Sequence, residues 1–153
     1  MTTDTITVGG AVDLIDYSID NFMDGLKPDY ISKMIFAVNN HLQVRDYLIG
    51  LPASYPMDEC AEFLSYLSKS IDEQDRYAVD TVNAMFQYEL ENIEKSINLL
   101  ANTHAVNPEY NLAKLLTRAI EAGWPSNTFV TMRNELASKV EETIAEQADE
   151  VIE

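Results

Sequence analysis

Four aspartates stand close together near the start of the chain. The stretch "DLIDYSIDNFMD" holds Asp13, Asp16, Asp20 and Asp24, and no basic residue precedes Lys27. On a helix these intervals place the four carboxylates within about 80° of arc and along about 16 Å of axis, beside an apolar stripe. This acidic ridge can serve solubility, or it can imitate the phosphates of a nucleic acid and occupy the cleft of a basic protein.

The charge of the ridge has no local compensation. Like charges four residues apart mildly destabilise a helix, and an ordinary solvated helix intersperses lysines among its acids. Asp13 and Asp16 lie near the predicted N-terminus, where the helix dipole favours them, whereas Asp20 and Asp24 gain nothing from it. The ridge therefore does not stabilise the helix, and its role must lie elsewhere. Solubility and partner binding are the two interpretations that remain open.

Acidic residues are concentrated at both ends of the chain. The net charge is −16, residues 1–26 hold five acids and no base, and residues 135–153 hold seven acids and one lysine. Such a field repels nucleic acids and attracts basic protein surfaces. We therefore expect no direct binding to DNA or RNA, and we add Glu141 and Glu142 to the four aspartates as candidate partner-binding residues.

Residue types that catalyse reactions or bind metals lack the neighbours they need. His41 and His104 are the only histidines, and neither has a carboxylate or cysteine three or four residues away, as a zinc site would require. The acids of "DEQDRYAVD" lack the alternation and glycine turn of a calcium loop. The glycines cannot form a phosphate loop, and nothing signals a buried acid. We predict no catalytic residue, metal or cofactor, and hence no enzyme.

Hydrophobic spacing predicts an all-α fold. The 153 residues, 46% of them hydrophobic, suffice for a single domain over residues 1–153 with about six to seven helices. "TITVGG" could form one short strand within an extended segment, residues 1–10, before a helix that starts at Ala11. Cys60 is the only cysteine, which fits a reducing compartment.

The last residues, 140–153, are predicted to form an acidic helical tail. This tail is expected to project or fray, or its apolar stripe could dock on a second copy to give a weak homodimer.

No apolar run approaches the length of a membrane span, and the start "MTTDTITVGG" lacks the features of a signal peptide. We expect a soluble, cytoplasmic protein that does not bind membranes.

The run "LENIEKSINLLANTHAVNPEY" resembles the second half of a tetratricopeptide unit. Ile93 stands at the large apolar position, Ser96 at the small one, Leu100 at the aromatic one and Pro108 at the closing proline. Glu91 replaces the usual turn glycine. The resemblance implies antiparallel helix pairs that stack on one another.

A broader resemblance covers residues 41–125. The segments "VRDYLIGL", "YAVDTVNAMFQYELEN" and "NPEYNLAKLLTRAIEAGWP" are similar to the helical C-terminal half of an actinobacterial and actinophage family, a domain of unknown function. "TITVGGAVDLI" resembles that family's first strand and helix, while most of its N-terminal α/β half has no counterpart here. The resemblance implies a helical architecture and a phage or mobile-element protein with an actinobacterial host. It implies no chemistry.

Aromatic residues provide a second candidate surface. Stacked helix pairs form concave faces where aromatic side chains can anchor a peptide, although aromatics at helical spacing are more often core residues. The set comprises Tyr77, Phe86, Tyr88, Tyr110, Trp124 and Phe129. Trp124, in a loop before Pro125, is the hardest to assign to the core.

Two functional hypotheses follow from these patterns. The first is an acidic helical module that binds a basic surface of a host protein, in its sharpest form inhibiting a nucleic-acid enzyme by mimicking phosphates. The second is a tetratricopeptide-like scaffold or adaptor that binds a peptide through an aromatic groove, with the acids serving solubility only.

Overall fold

Eight α-helices account for most of residues 5–153, the part of the chain that the computed structural model describes. They are α1 (Val8–Asn21), α2 (Pro28–Asn40), α3 (Leu42–Ile49), α4 (Met57–Lys69), α5 (Tyr77–Glu89), α6 (Ile93–Val106), α7 (Asn111–Glu121) and α8 (Thr128–Gln147). The all-α prediction is confirmed. Residues 5–153 hold eight helices where about six to seven were predicted, and α2 and α3 are separate helices because His41 between them has extended backbone, with φ −142° and ψ 116°.

Helix α5 lies at the centre of the domain. Residues 78–88 are all buried, and α5 packs against α4 and α6, with further contacts to α2, α3 and α7. Polar side chains on α5 find partners inside the protein: Asn83 donates to Ser65 Oγ at 3.1 Å, and Gln87 donates to Asn83 Oδ1 at 3.2 Å. Because buried polar groups need such partners, the Asn83–Ser65 bond favours one rotation of α5 against α4, and Gln87 holds the Asn83 side chain in place.

Helices α5 and α6 form the antiparallel hairpin that the tetratricopeptide resemblance implies. They are joined by a three-residue turn and contact each other along their length. Ser96 is fully buried, and its hydroxyl donates to the carbonyl oxygen of Ala84 at 2.7 Å. A small residue at this position therefore allows the two helix backbones to approach closely.

The two ends of the described chain meet. The Gly9 N–H donates to the carbonyl oxygen of Ala148, and the Ile152 N–H donates to that of Ile6, each at 2.9 Å. A Cβ added to Gly9 would lie 3.1 Å from the Ala148 carbonyl oxygen, so glycine permits this close approach. We call this contact between residues 6–9 and 148–152 the terminal clasp.

The terminal clasp corrects two predictions. "TITVGG" forms no strand within residues 5–153: Thr7 caps the start of α1, its hydroxyl accepting from Gly10, so the extended segment ends before Val8 rather than after Gly10. Residues 1–4 of that segment lie outside the described residues. The acidic tail does not project or fray, because the helix ends at Gln147 and Ile152 is then buried against the domain.

Within residues 5–153, none of the helices has both the length and the apolar character required to cross a membrane.

Helices α5 and α7 end in the same Schellman motif. In α5 the Asn92 N–H donates to the Gln87 carbonyl oxygen at 2.8 Å, and an equivalent bond of 3.1 Å closes α7. The residue in the left-handed conformation is Gly123 after α7, with φ 70°, but Glu91 after α5, with φ 65°. Glu91 therefore carries a steric cost that glycine would not.

Replacing Glu91 by glycine is expected to stabilise the protein. Glu91→Gly relieves the left-handed strain and loses part of that gain to a more flexible unfolded chain, so the free energy of unfolding should rise by about 0.5–1 kcal/mol. Urea denaturation measures this change. Gly123→Ala, at the equivalent position, should lower the same free energy by about 1 kcal/mol. A lower urea midpoint for Glu91→Gly would contradict the conclusion that the left-handed conformation of Glu91 carries a steric cost.

Candidate functional site

A groove of about 340 Å³ runs between α3, the turn that follows it, and α8. Its lining is mostly apolar or aromatic: Tyr47, Ile49, Leu51, Tyr55, Met132, Leu136, Ala137 and Val140. Three carboxylates, those of Asp16, Asp46 and Glu141, also line it. The arrangement combines a hydrophobic surface with negative charge, and its volume lies at the lower end of the range for ligand pockets.

The local sequence explains why this groove stays open. Helix α3 stops after eight residues at Gly50, and a short 3-10 turn, Leu51–Ala53, takes its place beside the groove. Helix α8 continues past this point with its apolar stripe only partly covered, and Leu136 remains 42% exposed. An apolar wall is therefore left without a partner from the described chain.

A buried arginine lies beneath the groove. Arg133 donates two hydrogen bonds to the carboxylate of Glu89, at 2.9 and 2.6 Å, and its Nε donates to the Ile49 carbonyl oxygen at 2.6 Å. Both charged side chains are only 4% exposed. The guanidinium also lies 5.7 Å from the centre of the Phe86 ring. Arg133 thus ties α8 to the ends of α3 and α5.

Two tyrosines connect the groove to the acidic ridge on α1. The Tyr47 hydroxyl donates to Asp16 Oδ1 at 2.6 Å. Burial and this hydrogen bond raise the pKa of Tyr47, so its hydroxyl stays protonated and holds the Asp16 carboxylate in place. Burial and the nearby carboxylate of Asp20 likewise raise the pKa of Tyr55. Asp16 and Asp20 therefore face the groove side of α1.

The structure brings together only some of the predicted partner-binding residues. Asp16 and Glu141, from opposite ends of the sequence, line the same groove, and Asp20 adjoins it beside Tyr55. Asp13 instead borders a separate hollow that includes Tyr17, Tyr30 and Lys33. Asp24, Glu142 and Trp124 do not line the groove. Asp24 lies in a 3-10 turn after α1, where it is exposed.

The acidic ridge enters no ion pair in the described part of the chain. Four ion pairs occur among residues 5–153: Asp29–Lys33, Arg45–Asp46, Glu109–Lys114 and Glu89–Arg133. None of them involves the four ridge aspartates, Glu141 or Glu142. Of the three carboxylates in the groove, only Asp46 is neutralised by a neighbouring base. The ridge aspartates, Glu141 and Glu142 lie on α1, the 3-10 turn after it and α8, and all except the half-buried Asp16 are exposed.

Two acidic side chains are buried, although the sequence patterns indicated no buried acid. Asp80 on α5 is 5% exposed, and burial raises the pKa of its carboxyl group. The Glu89 side chain is equally inaccessible in its ion pair with Arg133. One sequence signal was available: Arg133 stands four residues after Phe129 and four before Ala137, which places a lone base on the apolar stripe of α8.

Most of the aromatic set belongs to the core. Phe86, Tyr88 and Phe129 are buried, and Tyr77 packs edge-on against Tyr110 with ring centres 5.1 Å apart. Trp124 is the exception, because 47% of it is exposed although its ring lies 6.5 Å from that of Phe129. Its carbonyl oxygen accepts a hydrogen bond from the Tyr88 hydroxyl, which fixes the loop.

The groove offers hydrophobic contact and negative charge. Among residues 5–153, no three His, Cys, Asp or Glu side chains are grouped so that they could hold a metal ion. Burial raises the pKa of the Cys60 thiol to about 12, so it is protonated at neutral pH. Comparisons with protein-family models, curated proteins and solved structures give no match.

Removing Arg133 should destabilise the fold strongly. Arg133→Met leaves the Glu89 carboxylate buried without its partner, so the free energy of unfolding should fall by about 3–5 kcal/mol. The double variant Arg133→Met, Glu89→Leu removes both charges and should recover much of this loss. Urea denaturation of the wild type, both single variants and the double variant gives the coupling free energy. A coupling free energy near zero would show that the interaction between Arg133 and Glu89 does not contribute to stability.

Proposed function

We propose that this protein is a non-enzymatic interaction module that binds a basic surface of another protein. The binding face comprises the acidic ridge of α1 together with the groove between α3 and α8. The observation that carries the proposal is the uncompensated charge on this face: the ridge aspartates and Glu141 enter none of the ion pairs among residues 5–153. Packed helices position the backbone of these residues, and Tyr47 orients the Asp16 carboxylate, which favours recognition over simple solubility.

The position of the charges supports a specific surface rather than a diffuse negative field. Asp16 is oriented by Tyr47, and Glu141 lies across the groove from α1 on a different helix. Charges fixed in this way speed association with a cationic partner and select its orientation. The partner we propose is a basic protein of the host cell.

Inhibition of a nucleic-acid enzyme is the sharpest form of this proposal. The ridge carries one carboxylate per about 5 Å of helix axis, whereas duplex DNA carries one phosphate per about 1.7 Å. The ridge therefore imitates only a short and sparse track of phosphates. Binding beside a nucleic-acid cleft fits this density better than replacing a whole duplex.

Neutralising the ridge should weaken partner capture. A variant with Asp13, Asp16, Asp20 and Asp24 all replaced by Asn keeps the side-chain shape and an acceptor for Tyr47, but it removes four charges. In pull-downs from an actinobacterial lysate at about 0.05 M and about 0.5 M salt, read by mass spectrometry, capture of basic proteins by the wild type should fall steeply with salt. Capture by the variant should be weaker and depend less on salt.

A matched control removes the same number of charges elsewhere. Glu73, Glu94, Glu109 and Glu121 are exposed on other parts of the domain, and their replacement by Gln leaves the ridge intact. This control should capture the same proteins as the wild type. Equal losses in both variants would mean that only net charge matters, and unchanged capture by the ridge variant at low salt would overturn the proposal.

The second candidate function is peptide binding through Trp124, favoured by the exposure of this indole beside Phe129. If the protein is an adaptor of this kind, Trp124→Ala should abolish capture at both salt concentrations while the ridge variant captures normally. Under the basic-surface proposal Trp124→Ala should have little effect, because Trp124 does not line the groove. The same pull-down, read for both variants, distinguishes the two functions.

A further inference from the structure

We infer that the groove between α3 and α8 receives a basic amphipathic helix of the partner, with its apolar side chains in the groove and its lysines or arginines against the carboxylates. This inference rests on the proposed function and specifies the chemistry of the partner. It follows from the apolar wall, the charge beside it and the shape of the groove.

The apolar wall determines what enters the groove. Leu136, Ala137 and Val140 on α8 face Ile49 and Leu51 across it, and about 340 Å³ is left between them. A simple polycation would leave this surface in contact with water. Aliphatic or aromatic side chains would bury it, at about 25 cal/mol for each Å² removed from water.

The charge beside the wall determines what flanks those apolar side chains. Asp16 and Glu141 line the groove without a basic partner, and Asp20 lies beside Tyr55 at its edge. Arg133 does not offset them, because Glu89 already neutralises it beneath the groove. A second copy of this chain, with its own net charge of −16, is repelled, and so is an anionic membrane surface.

The dimensions of the groove favour a helix over an isolated side chain. On α8 the lining extends from Met132 to Glu141, which corresponds to about 14 Å of helix axis. An incoming helix of similar length places residues i, i+3, i+4 and i+7 on one face. Its basic residues, on the flanks of that face, would lie towards α1 on one side and Glu141 on the other.

Two synthetic peptides of identical composition test this inference. Both contain about 14 residues of leucine and lysine with a fluorescent label; in one the leucines follow the i, i+3, i+4, i+7 pattern, and in the other they are dispersed around the helix. Fluorescence anisotropy should give a Kd at least about tenfold lower for the amphipathic peptide. Equal affinity for the two peptides would overturn the inference.

A blocked groove provides the matching protein variant. Ala53 lines the groove but is exposed in its turn, so Ala53→Trp should fill the groove without disturbing the core. It should raise the Kd of the amphipathic peptide at least about tenfold. Ala101→Trp, at an exposed position on α6, is the control and should leave the Kd unchanged. An unchanged Kd for Ala53→Trp, with the fold intact by circular dichroism, would overturn the inference.

The ridge variant separates failure of this inference from failure of the proposed function. If both peptides bind equally and only the ridge variant weakens them, a basic surface is recognised without an anchoring helix. If the ridge variant and the glutamate control both bind the two peptides with the Kd of the wild type, the proposed function itself fails. If Ala53→Trp abolishes peptide binding and the ridge variant binds as the wild type does, the groove recognises apolar side chains without basic ones. Both proposals then fail.

Discussion

The buried ion pair between Arg133 and Glu89 is the interaction on which the groove depends. It joins the first half of α8 to the end of α5, while the third hydrogen bond of Arg133 reaches the carbonyl oxygen of Ile49 at the end of α3. A buried pair of this kind is a weak source of net stability, because desolvation of both charges offsets their attraction. The ion pair instead fixes geometry: its two parallel hydrogen bonds set the position of α8 against α5, and the bond to the Ile49 carbonyl oxygen sets its position against α3. The spacing of the groove walls is thereby fixed.

The contact between the chain ends has an electrostatic cost. The acids of α1 and those of residues 135–153 are brought to the same region of the domain when residues 6–9 pair with residues 148–152. Their mutual repulsion works against the compact state. The apolar surface buried by Val8, Ile144 and Ile152 opposes this repulsion. A partner with positive charge would relieve the repulsion and so stabilise the fold on binding.

Local patterns in the sequence were sufficient for the helices but not for their assembly. Apolar spacing and breaks at glycine, proline and asparagine predicted the all-α class and the α5–α6 hairpin, because these depend on residues close in sequence. The start of α1 was misplaced, since the alternation in "TITV" is typical of a strand while Thr7 acts as a helix cap. The spacing of the aspartates identified the ridge on α1. Glu141 was grouped with the ridge only because both ends of the chain are acidic, and no pattern indicated that they lie at the same groove. The pairing of Arg133 with Glu89, 44 residues away, left no local signature beyond one base on an apolar stripe.

The terminal clasp also determines when the acidic face can exist during synthesis. Its hydrogen bonds join Ile6 to Ile152 across nearly the whole described chain, so they close only after α8 has left the ribosome. Closing so large a loop is costly in an unfolded chain and becomes cheap once the intervening helices have packed. An incomplete nascent chain carries the aspartates of α1 but lacks the opposite wall of the groove. The binding face we propose is therefore absent from any nascent chain that has not yet released α8.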